Sequence, residues 1–261
     1  MLVFNIKNTT FGLYFNLKSY TLLYITNIYF MSNSDCAQDC FDCTKKLSMF
    51  NVLKDEELAI INESKNIVKF RAGEIILKQG TVLTHLACLT SGLAKIYIEG
   101  ENNKNLILKF LRPTQMVGGP GLFTDFKIHF TVKALEESSA CFIDTNVFKQ
   151  ILNKNHEFTL KLLWESHEQT IRSYTKFINL TQRQMHGRIA DALLHLSQNI
   201  FVDSKEGFLI SRQDLADYTG MAKESAIRIL REFSIENMII LNGKKIIITQ
   251  PESLDIISRK G

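Results

Sequence analysis

From Ile67 to Phe148 the hydrophobic positions come in short runs rich in β-branched and aromatic residues, each closed by glycine or polar residues: "IVKFRAGEIILKQG", "HLACLTSGLAKIYIEG", "NLILKFL" and "FTVKALEESSACFID". Runs of this length at such regular spacing predict short antiparallel strands closing into a small barrel or roll. No long helix fits there. The period then changes. Residues 155 to 180, "NHEFTLKLLWESHEQTIRSYTKFINL", contain neither glycine nor proline and carry a heptad stripe. Leu160, His167 and Tyr174 hold its a positions, Leu163, Thr170 and Phe177 its d positions, and Trp164, Ile171 and Ile178 its e positions. The stripe is wider than a two-stranded seam, so one edge is expected on the roll and the other against an identical helix, with His167 setting the register.

The last 80 residues change texture again. "GRIADALLHLSQNIF" reads as an amphipathic helix, "SRQDLADYTG" as a second helix closing at a glycine, and "KESAIRILREF" as a third. "MIILNGKKIIIT" makes two apolar runs joined through Asn242-Gly243, a strong hairpin signal. Helix, turn, helix and hairpin together make a winged helix-turn-helix. On the third helix, Lys223, Glu224, Ile227, Arg228 and Arg231 share one face, while Ala226, Ile229, Leu230 and Phe233 share the other. The polar face thus keeps one isoleucine that solvation alone does not explain.

These patterns predict an α+β chain with five parts. They are an upstream extension (1–31), a cysteine-containing arm (32–48), an antiparallel β-roll sensor domain (49–152), a dimerisation helix (153–180) and a winged helix-turn-helix (181–261). Composition agrees with a soluble protein, since 45% of residues are hydrophobic and only three are proline. A net charge of +4, from 31 basic and 27 acidic residues, permits a polyanionic partner without requiring one. Residues 11–30, "FGLYFNLKSYTLLYITNIYF", carry Asn16, Lys18 and Asn27 where a span needs about 20 clean apolar residues. The expectation is no membrane span, translation from Met31 and a cytoplasmic location; a signal-like segment and an interfacial helix are the competing readings. Among five cysteines, Cys36, Cys40 and Cys43 crowd together, which suits metal ligation better than a disulfide framework. No nucleophile elbow, Walker loop or metal-spaced histidine pair is present, so the chain does not read as an enzyme.

"ISRQDLADYTGMAKESAIRILREFSIENMI" resembles the helix-turn-helix of the Crp/Fnr family of transcription regulators. "FRAGEIILKQG" and "LTSGLAKIYI" resemble that family's roll, and "GRIADALLHL" resembles the helix opening its DNA-binding domain. The resemblance runs from about Met49 to Gly261. It implies a homodimer on double-stranded DNA, with RNA polymerase as a further partner and the third helix of each subunit in successive major grooves about 34 Å apart. By position Glu224 and Arg228 match the family's base-reading pair. Their chemistry agrees: arginine donates to guanine O6 and N7, and a carboxylate accepts from cytosine N4. Ile227, between them, is then expected to meet a thymine methyl. Lys223, Arg231, Arg212 and Lys244 are expected on phosphates. Ala222 stands where relatives often carry Ser or Thr, a lost cap costing roughly 1 kcal/mol. The rival reading is an effector-binding module whose carboxy-terminal domain docks protein instead of DNA.

Two signals bear on the effector. "VGGPGLFTDFKIHFTVKALE" aligns with the loop that cradles cyclic-nucleotide phosphate in cAMP-binding relatives. Gly119 occupies their glutamate position and Lys127–Phe130 cover their Arg-Ser pair, so the charge-assisted fork is missing and cAMP is not expected to bind. Gly118, Gly119 and Gly121 then read as turn formers. Oxygen-sensing members hold an iron-sulfur cluster with amino-terminal cysteines and one cysteine in the roll, where Cys141 stands. The spacing C-x3-C-x2-C departs from their C-x2-C-x5-C. A metal site on Cys36, Cys40, Cys43 and Cys141, iron-sulfur or zinc, is the expectation to test.

Overall fold

A computed structural model describes residues 39–202, 204 and 206–260. The chain divides into two units, residues 1–44 and 45–261. Of the first, only residues 39–44 are described, a bent stretch in which the Phe41 amide donates to Asp39 Oδ1 at 3.0 Å. Cys36 and the apolar segment 11–30 lie outside the described residues. Among those described, no helix is long and apolar enough to cross a membrane.

The second unit opens with a 3-10 turn (Ser48–Val52), followed by α1 (Asp55–Ser64) and eight short strands. These are β1 (Asn66–Phe70), β2 (Ile75–Leu77), β3 (His85–Ser91), β4 (Ala94–Glu99), β5 (Asn105–Leu111), β6 (Gln115–Val117), β7 (Thr131–Ala134) and β8 (Ser138–Asp144). They pair antiparallel into two four-stranded sheets, ordered β1-β8-β3-β6 and β2-β7-β4-β5. Leu86, Leu89, Leu111, Val132 and Ile143 are buried in this part of the chain. This is the antiparallel roll that the short, glycine-punctuated runs predict.

Two caps decide where the helices after the roll begin. The Asp144 carboxylate accepts from the amides of Asn146 (2.8 Å) and Val147 (3.1 Å), starting α2 (Thr145–Lys154). Asn155 Oδ1 accepts from the Phe158 amide at 2.9 Å and starts α3 (His156–Gln182). The long helix therefore begins one residue inside the 155–180 stripe and runs two residues past it, to Gln182. Phe158, fully buried, meets the ring of Phe148 edge-on at 5.4 Å and fastens α3 to the roll.

The heptad stripe takes a different place from the one expected. Leu160, Leu163, Trp164, Ile171, Tyr174, Phe177 and Ile178 are all exposed, between 49% and 60%. None of the a, d or e positions covers the roll; that side of α3 is carried by Phe158, Leu162, Lys176 and Leu180. The whole stripe is open for a partner.

The carboxy-terminal part comprises α4 (Met185–His195), a π-helical turn (Leu196–Ile200), β9 (Phe208–Leu209), α5 (Arg212–Thr219), α6 (Lys223–Ile235), β10 (Ile239–Asn242), β11 (Lys245–Ile248) and α7 (Pro251–Lys260). The last helix, which packs on α4, was not anticipated. Ile189, Leu193, Leu215, Ile229, Leu230, Phe233 and Leu254 form the centre of its core. That core continues into the β4–β5 hairpin of the roll through Leu93, Tyr97, Ile107 and Phe110.

Candidate nucleic-acid interface

Ser211 Oγ accepts from the Asp214 amide at 2.9 Å and caps α5, which ends at Gly220 in the left-handed conformation (φ 61°). The chain turns and α6 starts at Ala222 with no side-chain cap. On α6, Ala226, Ile229 and Leu230 are wholly buried and Phe233 nearly so. Lys223, Glu224, Arg228 and Arg231 are exposed, and Ile227 is half-exposed between them. The face read from the 3.6-residue period is thus the uncovered one.

Glu224 and Arg228 do not form an ion pair among the described residues. Arg228 Nε instead stands 3.8 Å from Glu232 Oε1, and Glu232 is bound more closely by His186 Nε2, at 2.6 Å. The Arg228 side chain is 63% exposed, so its contact with Glu232 is worth a few tenths of a kcal/mol and offers little resistance to a base.

The wing turn falls one residue later than the Asn-Gly signal placed it. Asn242 pairs with Lys245, so Gly243 and Lys244 are the central residues. Gly243 has φ 55°, and a two-residue hairpin with glycine first needs positive φ only there. Lys244 is exposed at the tip. Arg212, expected on phosphate, is half-buried: Nη2 donates to the Gly243 carbonyl at 2.7 Å, and its buried Nη1 has no partner among the described atoms. It acts as a brace between α5 and the wing.

The DNA-binding part is docked on the roll through polar groups that sequence reasoning missed. Lys95 of β4 pairs with Asp214 of α5. Lys176 of α3 donates to the carbonyls of Ile107 (2.7 Å) and Leu108 (3.1 Å) while its ammonium sits 3.8 Å from the ring centre of Tyr218. Tyr218 in turn packs on Phe110, with ring centres 5.2 Å apart. Arg188 Nη1 donates to the carbonyls of Thr219 (3.0 Å) and Gly220 (3.3 Å), holding the turn before α6. In the sequence, Lys176 and Arg188 look like ordinary solvated cations.

Burial pushes the Lys176 ammonium down to about 7, against the opposing pull of Asp191. Burial, helped by Arg172, pushes Lys109 down to about 8. Between these values and the ordinary lysine range near 10.5, the folded state binds fewer protons than the unfolded state. The cost of burying the two charges is fully present below pH 7 and is relieved as pH rises. The thermal midpoint should therefore increase from pH 7 to 9, and Lys176→Met should remove most of the increase. A midpoint that falls over this range in the wild type would contradict the buried-ammonium account.

The cyclic nucleotide-binding domain family matches residues 67–155, and the Crp-like helix-turn-helix domain family matches residues 187–256. Roll first and helix-turn-helix second, the two cover more than half of the chain. The chain belongs to the Crp/Fnr family of transcription regulators. It is 26% identical over 187 residues to the cAMP-activated global transcriptional regulator CRP of Salmonella typhimurium, covering 70% of this chain and 89% of that one. It is also 26% identical to electron transport regulator A of Shewanella oneidensis, covering 86% and 92% of the two chains. A structure of a Crp/Fnr-assigned regulator from Eubacterium rectale shares the fold at a TM-score of 0.72 and 18% identity, covering 82% of this chain and 98% of that one.

Within this Crp/Fnr roll, the loop between β6 and β7 is filled by its own chain. A Cβ at Gly119 would stand 2.8 Å from the Phe130 ring, one at Gly121 1.9 Å from the Lys127 carbonyl oxygen, and one at Gly118 1.9 Å from Leu86 Cδ2. Only Gly119 has positive φ (73°). Gly119 caps and Gly121 lies within the tight turn Pro120–Phe123, and at Gly118 and Gly121 neighbours also pack where a side chain would be. Of the cysteines, Cys40 and Cys43 belong to the first unit and Cys141 to β8 of the second. Among the described residues no three His, Cys, Asp or Glu side chains gather as a metal site.

Proposed function

We propose that this Crp/Fnr-family regulator acts as a cytoplasmic homodimer, joined along α3, that reads a nearly palindromic operator with α6. The observation carrying this reading is the α6 face, where Glu224 and Arg228 stand exposed one turn apart above a fully buried opposite face. Arg228 reads guanine, Glu224 accepts from cytosine, and Lys223, Arg231 and Lys244 hold phosphates. Arg212 contributes by placing the wing. RNA polymerase is the expected protein partner on the promoter. A face built to dock protein would expose aromatics where α6 exposes cations.

Ile227 adds specificity. The thymine C5-methyl is the apolar feature of a base edge in the major groove, and a half-exposed isoleucine beside Arg228 can cover it, a contact of roughly 1 kcal/mol. Inverted-repeat duplexes should bind two chains each, and replacing thymine by uracil next to the guanine should weaken wild type but not Ile227→Ser. Equal affinity of wild type for both bases would remove the contact. One chain per inverted repeat would remove the dimer reading.

The signal we infer is not cAMP, because Gly119 stands where cAMP-binding relatives carry their glutamate and Lys127–Phe130 stand where they carry their Arg-Ser pair, which leaves no charge-assisted fork for the phosphate. Cys40, Cys43 and Cys141 supply thiolate donors, the chemistry that iron-sulfur clusters and zinc take, with Cys36 as the fourth. A cluster bound there would supply oxygen-sensitive redox chemistry.

A further inference from the structure

The roll carries a row of three sulfur atoms, of which that reading uses only Cys141. Cys141 of β8 is directly opposite Cys88 of β3, and Cys88 is directly opposite Met116 of β6. Opposed residues of an antiparallel pair point to the same face with Cβ atoms about 4.5–5.5 Å apart. The β3–β8 register is regular here and shifts only between Leu89 and Ser91. Cys88 is 5% and Cys141 8% exposed, whereas Met116 at one end of the row is half-buried and Ile67, opposite Cys141 at the other end, is exposed.

Among the described residues, the neighbours along the row are aliphatic side chains and two hydroxyl groups. Two positions along, on the same face, Leu86 pairs with Ile143. Toward the other side, the hydroxyls of Thr90 and Ser139 are joined to each other at 2.6 Å, and Thr90 Oγ1 also donates to the Ser139 carbonyl. The neighbouring oxygens are therefore already engaged. Two thiols and a thioether in a dry sheet select a soft ion of low coordination number; zinc would need four ligands, and magnesium or calcium would need oxygens.

We propose that Cys88 and Cys141 form a two-thiolate site for a soft monovalent metal ion of the Cu(I) class, with Met116 as its soft flank. Binding exchanges protons for metal: each thiol releases its proton to solvent, two Cu–S bonds form, and no electron is transferred. The site gives the roll an input of its own that shares Cys141 with the arm-based metal reading but does not depend on the arm.

Cu(I) itself is the probe, added anaerobically to the full-length protein in competition with a chromophoric Cu(I) chelator. The triple variant Cys36→Ser, Cys40→Ser and Cys43→Ser should still retain one Cu(I) per chain, with X-ray absorption showing sulfur neighbours. Cys88→Ser and Cys141→Ser should each lose it to the chelator. Cys88→Ala and Cys141→Ala, which place no new hydroxyl in the sheet, should behave the same while keeping the wild-type circular dichroism spectrum. Retention of Cu(I) by a folded Cys88→Ala protein would overturn the proposal, as would its loss from the triple arm variant. The second outcome would leave the arm-based reading standing.

Discussion

Replacing Leu163 and Phe177 together by lysine should turn the protein into a monomer and abolish operator binding. Both residues belong to the α3 stripe, where they are 49% and 59% exposed in the single chain. Seven large apolar side chains stand exposed in one continuous stripe, and an exposed patch of this kind marks an association surface. Closing that surface around an unpartnered ammonium costs several kcal/mol per buried charge, and the two-fold symmetric contact doubles every substitution. Every residue of the stripe is about half exposed or more in the single chain, so the fold of each chain should survive. Sedimentation would show the monomer directly, and a double variant that still sediments as a dimer would remove α3 as the seam.

Arg228→Ala should cost roughly 1–3 kcal/mol per half-site and relax the preference for one guanine in each. For a dimer engaging both half-sites this is about 2–6 kcal/mol. The side chain gives up only a loose, exposed contact with Glu232, so little stability should change with it. Lys244→Ala, at the exposed tip of the wing, should instead weaken specific and random duplexes alike. Titrations of matched specific and random duplexes compare the two variants. A uniform loss on both duplexes for Arg228→Ala would deny it a reading role.

The roll and the helix-turn-helix were legible because each rests on local periodicity. Period two with glycine breaks marks the strands, and Ala226, Ile229, Leu230 and Phe233 recur at helical spacing and are buried together. What was not legible depends on which surface meets which. The heptad stripe shows that α3 has an apolar side, but one of the residues fastening it to the roll, Lys176, is a lysine whose partners are the backbone carbonyls of Ile107 and Leu108. No side-chain pattern encodes such acceptors. Arg212 shows the same limit: its composition and place suit a phosphate, and its geometry gives it first to the Gly243 carbonyl. The hairpin was found but misplaced by one residue, because the Asn-Gly signal marks a turn while strand pairing decides which two residues are central. Cys88 and Cys141 lie 53 positions apart and become neighbours only through the β3–β8 register.

The measurement closest to the central claim is selection of the full-length protein on random duplex DNA, followed by titration of the enriched duplex over a range of salt concentrations. The account predicts an inverted repeat whose half-site centres lie about one helical turn, roughly 34–36 Å, apart, with log affinity falling linearly with log salt as lysine and arginine contacts release counterions. No enriched sequence, or binding indifferent to salt, would contradict it.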